Sequence, residues 1–293
     1  MATLRELKGR IGSVASSEKI TGAMKMISSA KMHKAELALK QLRPFRDQVE
    51  TVIANLLSSD ASFSSPLMEE RPVARVALVV WGSDDGLCGA YNVNIFKLLL
   101  QRIAELRSQL GDAAEIDVLA VGSKMAKAVG KLRLPGVKGV AAQGVDSKSA
   151  ETAVRDFTFA LRDAFLSGSY DRVDMLYMSF KSVSRQRPEF QQLLPVSYSA
   201  FSAGAEGRSV KPYIFEPDVA SIFTAILPLY LLSVVSDVFT ENRASEQAAR
   251  VMAMQSANDN AKKLLESLQL EYNKLRQQAI TSELLDILGG QVR

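Results

Sequence analysis

The feature that most constrains this chain is a helical apolar rhythm in its tail, from about Thr240 to Gly290. Ala261, Leu265, Leu268, Tyr272, Leu275 and Ala279 recur at alternating steps of four and three, the seam of a helix wound on a partner helix. No Pro or Gly interrupts it before Gly289. At about 1.5 Å per residue, some fifty residues predict a rod of ~70 Å, longer than a globular domain of this size needs.

The opposite end of the chain offers the partner. From Thr3 to about Leu57 the pattern is again helical: Leu4, Leu7, Ile11 and Val14, then Ile20, Met24, Ile27 and Ala30, then Ala35, Leu39 and Leu42. This reading predicts one apolar face along the whole helix. Gly9, Gly12 and Gly22 each weaken it by about 1 kcal/mol relative to Ala, and Pro44 predicts a kink or a step. Two such helices at opposite ends of a chain pair most simply as an antiparallel coiled coil.

Between them the period changes. Ser58 to Pro72 is rich in Ser, Asp and Pro and reads as a connection. Val73 to Val80 is a β-branched apolar run, and Ile116 to Val121 and Val173 to Phe180 also read as strands; Asn92 to Leu110, Ser123 to Lys131 and Ser147 to Leu166 read as helices. Phe190 to Ser199 adds a strand in an antiparallel hairpin with Val173 to Phe180. Ala203 to Lys211 reads as the link to the second helical arm, which opens at Glu216-Pro217-Asp218 with Pro at the first helical position. Pro228 predicts a kink or break in that arm. The fold class is therefore α/β: a long antiparallel coiled coil of residues 1–57 and 212–293, plus a Rossmann-like α/β domain over 73–200 with a mainly parallel sheet.

Charge and composition narrow the function. The net charge is +4, and residues 1 to 46 hold ten Lys/Arg against three Glu, so that end seeks acidic partners. Aromatics are absent there until Phe45, which argues against nucleic-acid stacking. Cys88 is the single cysteine; no intrachain disulfide is possible, and a small buried residue in a reducing compartment is expected. The N-terminus has no apolar signal region, so synthesis and use in the cytoplasm are expected. The most apolar window, Ile222 to Val235, is about fourteen residues long and contains Pro228. It falls short of the roughly 20 needed to span a bilayer and reads as a buried helix end.

The loop Gly82-Ser83-Asp84-Asp85-Gly86-Leu87-Cys88-Gly89 follows the first strand, where doubly wound folds bind phosphate. It lacks the Gly-Lys-Ser/Thr of a P-loop and the Gly-x-Gly-x-x-Gly spacing, and its two Asp residues repel phosphate. A structural turn is expected instead; the alternative is an α/β enzyme or ligand-binding protein using this loop, and a coiled-coil adaptor or nucleic-acid binder is a third reading. One His and one Cys cannot build a zinc site, and no Gly-x-Ser-x-Gly elbow occurs. No catalytic residue, cofactor or metal is expected.

Three stretches are specific enough to carry a family resemblance. The run from Lys19 to Met32 (KITGAMKMISSAKM), the loop Ser83 to Gly89 (SDDGLCG), and the tail through Ala244 to Met254 (ASEQAARVMAM) and Tyr272 to Thr281 (YNKLRQQAIT) resemble the gamma subunit of F-type ATP synthases. The resemblance covers nearly the whole chain. It implies a coiled coil turning inside a hexamer of three alpha and three beta subunits, above an α/β domain that meets the epsilon subunit and the membrane c-ring, with delta also in the complex. It implies torque transmission between the c-ring and catalytic sites on beta, with no chemistry on this chain. Carried over as sleeve contacts are Met24, Lys25, Arg250, Arg276, Gln277 and Thr281; Asp84, Asp85, Gly86, Leu87 and Cys88 form the foot loop. Asp85 stands where the family usually has a basic residue, and Pro228-Leu229 replaces a commonly basic helix. A bacterial protein, peripheral to the plasma membrane on its cytoplasmic face through the c-ring, is expected.

Overall fold

The computed structural model describes residues 3–57, 65–111, 113–197, 201 and 215–290. The predicted link over 203–211 lies outside these residues. They form two compact units, Met1–Ser29 with Arg250–Arg293, and Ala30–Ala249.

Helix α1 (Leu4–Leu57) runs through Pro44, and the C-terminal helix, α5 (Val219–Gly290), runs through Pro228, where the sequence predicts interruptions. Each proline removes one amide, which frees the carbonyl four residues earlier, on Lys40 and Thr224. Both residues are exposed, where a freed carbonyl is open to solvent.

The steps of three and four that begin at Leu4, Leu7, Ile11 and Val14 continue without a slip to Leu56, and every position on that path is buried or half-buried. The path passes through Glu18, Thr21, Lys25 and Ser28. It misses Ile20, Ile27 and Ala30, which are exposed, so the single continuous apolar face expected of this helix is not present. Its cause is phase: Ile20 stands two positions beyond the seam residue Glu18, and Ile27 two beyond Lys25. On α5 the same rhythm holds from Tyr230 to Ala279 without a slip. Between Ala261 and Ala279 the residues that are not fully exposed are the six that the sequence pattern selects.

In the first unit the polar part of the seam is satisfied. Asn258 donates its side-chain amide to the carbonyl of Glu18 at 2.6 Å and to the hydroxyl of Thr21 at 3.2 Å. Gly22 lies against the same amide, where a Cβ would stand 3.4 Å from it. One buried Asn among apolar positions fixes register at some cost in stability. Leu7 and Leu268 are buried in this unit.

The second unit holds a five-stranded sheet, with β1 (Arg75–Trp81), β2 (Glu115–Val121), β3 (Val137–Ala141), β4 (Arg172–Ser182) and β5 (Arg185–Leu194) in the order β3-β2-β1-β4-β5. The first four strands are parallel and β5 is antiparallel to β4. The hairpin turns at Val183-Ser184, so β5 starts and ends earlier than Phe190 to Ser199. β3 escapes the sequence reading because it is a short edge strand broken by Gly139. A Cβ on Gly139 would stand 2.6 Å from Val129 Cγ1, so close packing on the preceding helix demands glycine there.

Residues of alternate parity leave opposite faces of each strand. Val76, Leu78 and Val80 pack on helices α2 (Tyr91–Leu110) and α3 (Ser123–Val129). Ala77, Val79 and Trp81 pack on α4 (Glu151–Leu166), the end of α1 and the start of α5. The apolar window is indeed a buried helix start: Phe223, Leu227, Tyr230, Leu231, Val234 and Val235 all enter this core. By length and composition alone α5 is apolar enough to cross a membrane. Asp218, one residue beyond Pro217, caps α5. Its carboxylate accepts the amide and hydroxyl of Ser221 at 2.8 and 2.6 Å. Proline therefore precedes the cap and does not occupy the first helical position.

Candidate functional site

The loop after β1 is held at the carboxyl ends of the parallel strands. Gly82 donates to the carbonyl of Val121 at 2.9 Å, and Lys124 donates to the carbonyl of Ser83 at 3.0 Å. This approach requires Gly122, which has φ +92°; a Cβ there would lie 2.8 Å from the Ser83 carbonyl.

Asp84 is the hub. One carboxylate oxygen accepts the amide and hydroxyl of Ser123 at 2.7 and 2.6 Å; the other accepts the amide and hydroxyl of Ser147 at 2.9 and 2.7 Å. Ser147 thus lies in the loop before α4, not in the helix the sequence predicts from that position. Burial alone would push the Asp84 carboxyl up, but the hydrogen bonds from Ser123 and Ser147 hold its pKa at about 2. Two main-chain amides and two hydroxyls therefore converge on an anion, as they do around a phosphate in folds of this topology. Here that anion belongs to the chain itself.

The remaining loop residues are locked or outward. Ser83 Oγ donates to the carbonyl of Asp85 at 2.8 Å and receives the Asn92 amide at 2.7 Å. Cys88 is buried within 3.8 Å of Ser83 Oγ and 3.7 Å of Asn92 Nδ2. Asp85 pairs with Lys148 at 2.8 Å, with both side chains largely in solvent, where such a pair contributes little. Leu87 adopts φ +63° and is 61% exposed. No group of three or more His, Cys, Asp or Glu set to hold a metal occurs among the described residues.

The residue that joins this region to α5 was not legible in the sequence. Asn242, fully buried, accepts the Tyr91 hydroxyl at 2.6 Å and the Met178 amide at 3.4 Å, and donates to the carbonyl of Gly82 at 3.3 Å. One side chain thereby binds α5 to α2, β4 and the root of the loop. Asn242 stands among Thr240, Glu241, Arg243 and Ser245, so its sequence neighbours carry no signal of burial.

The sleeve-contact residues fall into two groups. Met24 and Lys25 are half-buried on α1, and Arg250 is only 6% exposed. Arg276, Gln277 and Thr281 are exposed on α5, with the Thr281 hydroxyl donating to the Gln277 carbonyl at 2.9 Å. Ile280, Leu284 and Leu285 lie open among them. The sequence reading missed the equivalent feature on α1, where Ile20, Met26 and Ile27 are 59%, 68% and 57% exposed. Drift of apolar residues out of the seam's phase marks it.

Comparison with known proteins places this geometry. The ATP synthase family model matches residues 3–292. The ATP synthase gamma chain of Bacteroides fragilis is 42% identical over 297 residues, covering all of both chains. Among solved structures, a chain of the Euglena gracilis mitochondrial ATP synthase (OSCP/F1/c-ring, rotational state 3) shares the fold with a TM-score of 0.63 at 19% identity, covering 98% of this chain and 93% of that one. A chain of the Tetrahymena thermophila mitochondrial ATP synthase central stalk and c-ring matches with a TM-score of 0.56 at 23% identity, covering 81% of this chain and 99% of that one. From its loop of closed donors, its two seamed helices and these full-length matches, the chain belongs to the ATP synthase gamma chain family.

Proposed function

We propose that this chain is the central-stalk rotor subunit of an F-type proton-translocating ATP synthase, passing torque between the membrane c-ring and catalytic sites on the beta subunits while catalysing nothing itself. The observation that carries this reading is the outward exposure of Ile20, Met26 and Ile27 on a helix whose seam is already filled by other residues. Large apolar side chains on the open face of a helix mark a surface that another protein covers. A part that turns within a sleeve needs contacts without fixed polar anchors, because directional bonds would hold it at one angle.

Residues 1–57 and 212–293 supply the shaft, with Met24, Lys25, Arg276, Gln277 and Thr281 as contacts to three alpha and three beta subunits. Arg250 presents little surface to a partner. The 73–200 domain, through the Asp84 to Cys88 loop, faces the epsilon subunit and c-ring, with delta elsewhere in the complex. The chain is peripheral to the bacterial plasma membrane, on its cytoplasmic face. Asp84 supports a non-catalytic role, since the donors that would bind a phosphate are already taken.

The test is Met24→Lys in the assembled complex, with ATP hydrolysis and proton pumping measured together. A charge placed in this contact disturbs how the shaft seats, so pumping falls more than hydrolysis. Equal loss of both, or loss of neither, removes the coupling role assigned to this position.

A further inference from the structure

The α1–α5 seam of the second unit contains a buried cluster of charges that the rotor reading leaves unused. Arg46 and Asp237 occupy seam positions on the two helices and meet at 2.7 Å; Arg46 also holds Glu50 at 2.9 Å. One turn after Asp237, Glu241 pairs with Arg43 at 3.1 Å and takes a hydrogen bond from Ser179 on β4. Asp237 and Glu241 are both buried. Three carboxylates thus face two guanidiniums, and the Arg43 side chain is half in solvent, so the cluster carries surplus negative charge out of water. It also lacks a donor: Asp237 Oδ1 is buried with no hydrogen-bond partner among the described residues.

We propose that Asp237 and Glu241 share one bound proton, so that this joint between α1, α5 and β4 is a proton-binding site. Carboxyl groups four residues apart on a helix face one another across one turn. A proton on Glu241 supplies the donor that Asp237 Oδ1 lacks and brings the cluster to neutrality. The acidic and phenolic neighbours leave that proton in place, while Ser179 and Arg43 oppose it. Tyr177 on β4 and Tyr230 on α5 are neutral phenols raised by burial, and Glu189 on β5 adds negative charge nearby. Burial, then the charge of Asp237, raises Glu241 above the usual carboxylate range, against the pull of Ser179 and Arg43.

The linkage has a definite sign. A carboxyl that keeps its proton in the folded chain and loses it on unfolding makes stability fall as pH rises above ~4, until the pair itself ionises. Glu241→Gln retains the shape, the acceptor for Arg43 and a donor for Asp237, and so mimics the protonated pair at every pH.

The full chain and its Glu241→Gln variant are melted at intervals from about pH 5 to 8. The variant gains on the native chain as pH rises; a difference that stays constant across the range overturns the proposal. Infrared spectra of the native chain and of an Asp174→Asn variant supply a second readout, since Asp174 is also buried with its carboxyl raised by burial and its own band must be removed first. A carbonyl stretch of a protonated carboxylic acid persists above the ordinary carboxylate range and disappears on further alkalinisation. Its absence at about pH 6 also overturns the proposal.

Discussion

The Tyr91 hydroxyl and the Asn242 side-chain oxygen meet at 2.6 Å in a site sealed from solvent, joining the first turn of α2 to the middle of α5. Truncation of Asn242 takes the side-chain partner from the Met178 amide and the Gly82 carbonyl, and leaves the Tyr91 hydroxyl only the Asn242 main-chain carbonyl at 3.2 Å. Buried groups left without partners cost ~1–3 kcal/mol each before relaxation. Asn242→Ala should therefore cost about 3 kcal/mol, whereas Tyr91→Phe, which removes one donor, should cost about 1 kcal/mol. Urea titration of both variants and their double mutant checks this; additive effects would show that the two side chains do not act together.

Asp84 predicts a pH-dependent loss. Asp84→Asn keeps the shape but turns an amide toward one of the two Ser pairs, and should destabilise the chain by ~2 kcal/mol near neutrality. The native carboxyl ionises at about 2 in the folded chain, below its ordinary value of 3.8. Its contribution is complete above the ordinary value and disappears as pH falls through about 2. The gap between native and variant unfolding midpoints should narrow in that acid window. A gap independent of pH would remove the charge from the explanation.

Two glycines with positive φ separate strain from collision. Gly111 has φ +80° and open space around its missing Cβ, whereas Gly122 combines φ +92° with backbone 2.8 Å away. Gly111→Ala should cost about 1 kcal/mol, and Gly122→Ala at least about 3 kcal/mol, because the Ser83 carbonyl cannot yield without moving the loop. Thermal melts of the two variants measure the difference.

On the open face of α1 the expectation reverses. Ile27→Lys alters no buried contact and should leave the stability of the free chain within about 0.5 kcal/mol. Capture by alpha and beta subunits should weaken at least tenfold, read as the concentration needed for half-maximal assembly. Undiminished capture would show that this face is not covered in the complex.

The last stretch of the α5 seam was legible, since Leu265, Leu268, Tyr272 and Leu275 are apolar residues at consistent spacing and only Leu264 and Leu270 fall off it. On α1 the same spacing passes through Glu18, Thr21, Lys25 and Ser28, and hydropathy points to the wrong face. Two demands act on that stretch: polar seam residues meet Asn258, and apolar ones are left for another surface. Periodicity followed strictly from Leu4 finds the answer that composition hides. Of the sheet, the long apolar strands were evident and β3 was not, because its packing depends on the missing side chain of Gly139. The Asp84 network joins residues 39 and 63 positions apart. Hydroxyl and carboxyl side chains in two separate loops and at the start of α3 carry no local pattern, so only the folded chain shows them together.

A domain built on this topology with an open crevice would tighten and loosen as phosphate-bearing metabolites came and went. Asp84 removes that freedom by giving the crevice a permanent occupant that never dissociates. The shape of the loop is thereby set from within the chain, by donors of Ser123 and Ser147 that are already spent on Asp84.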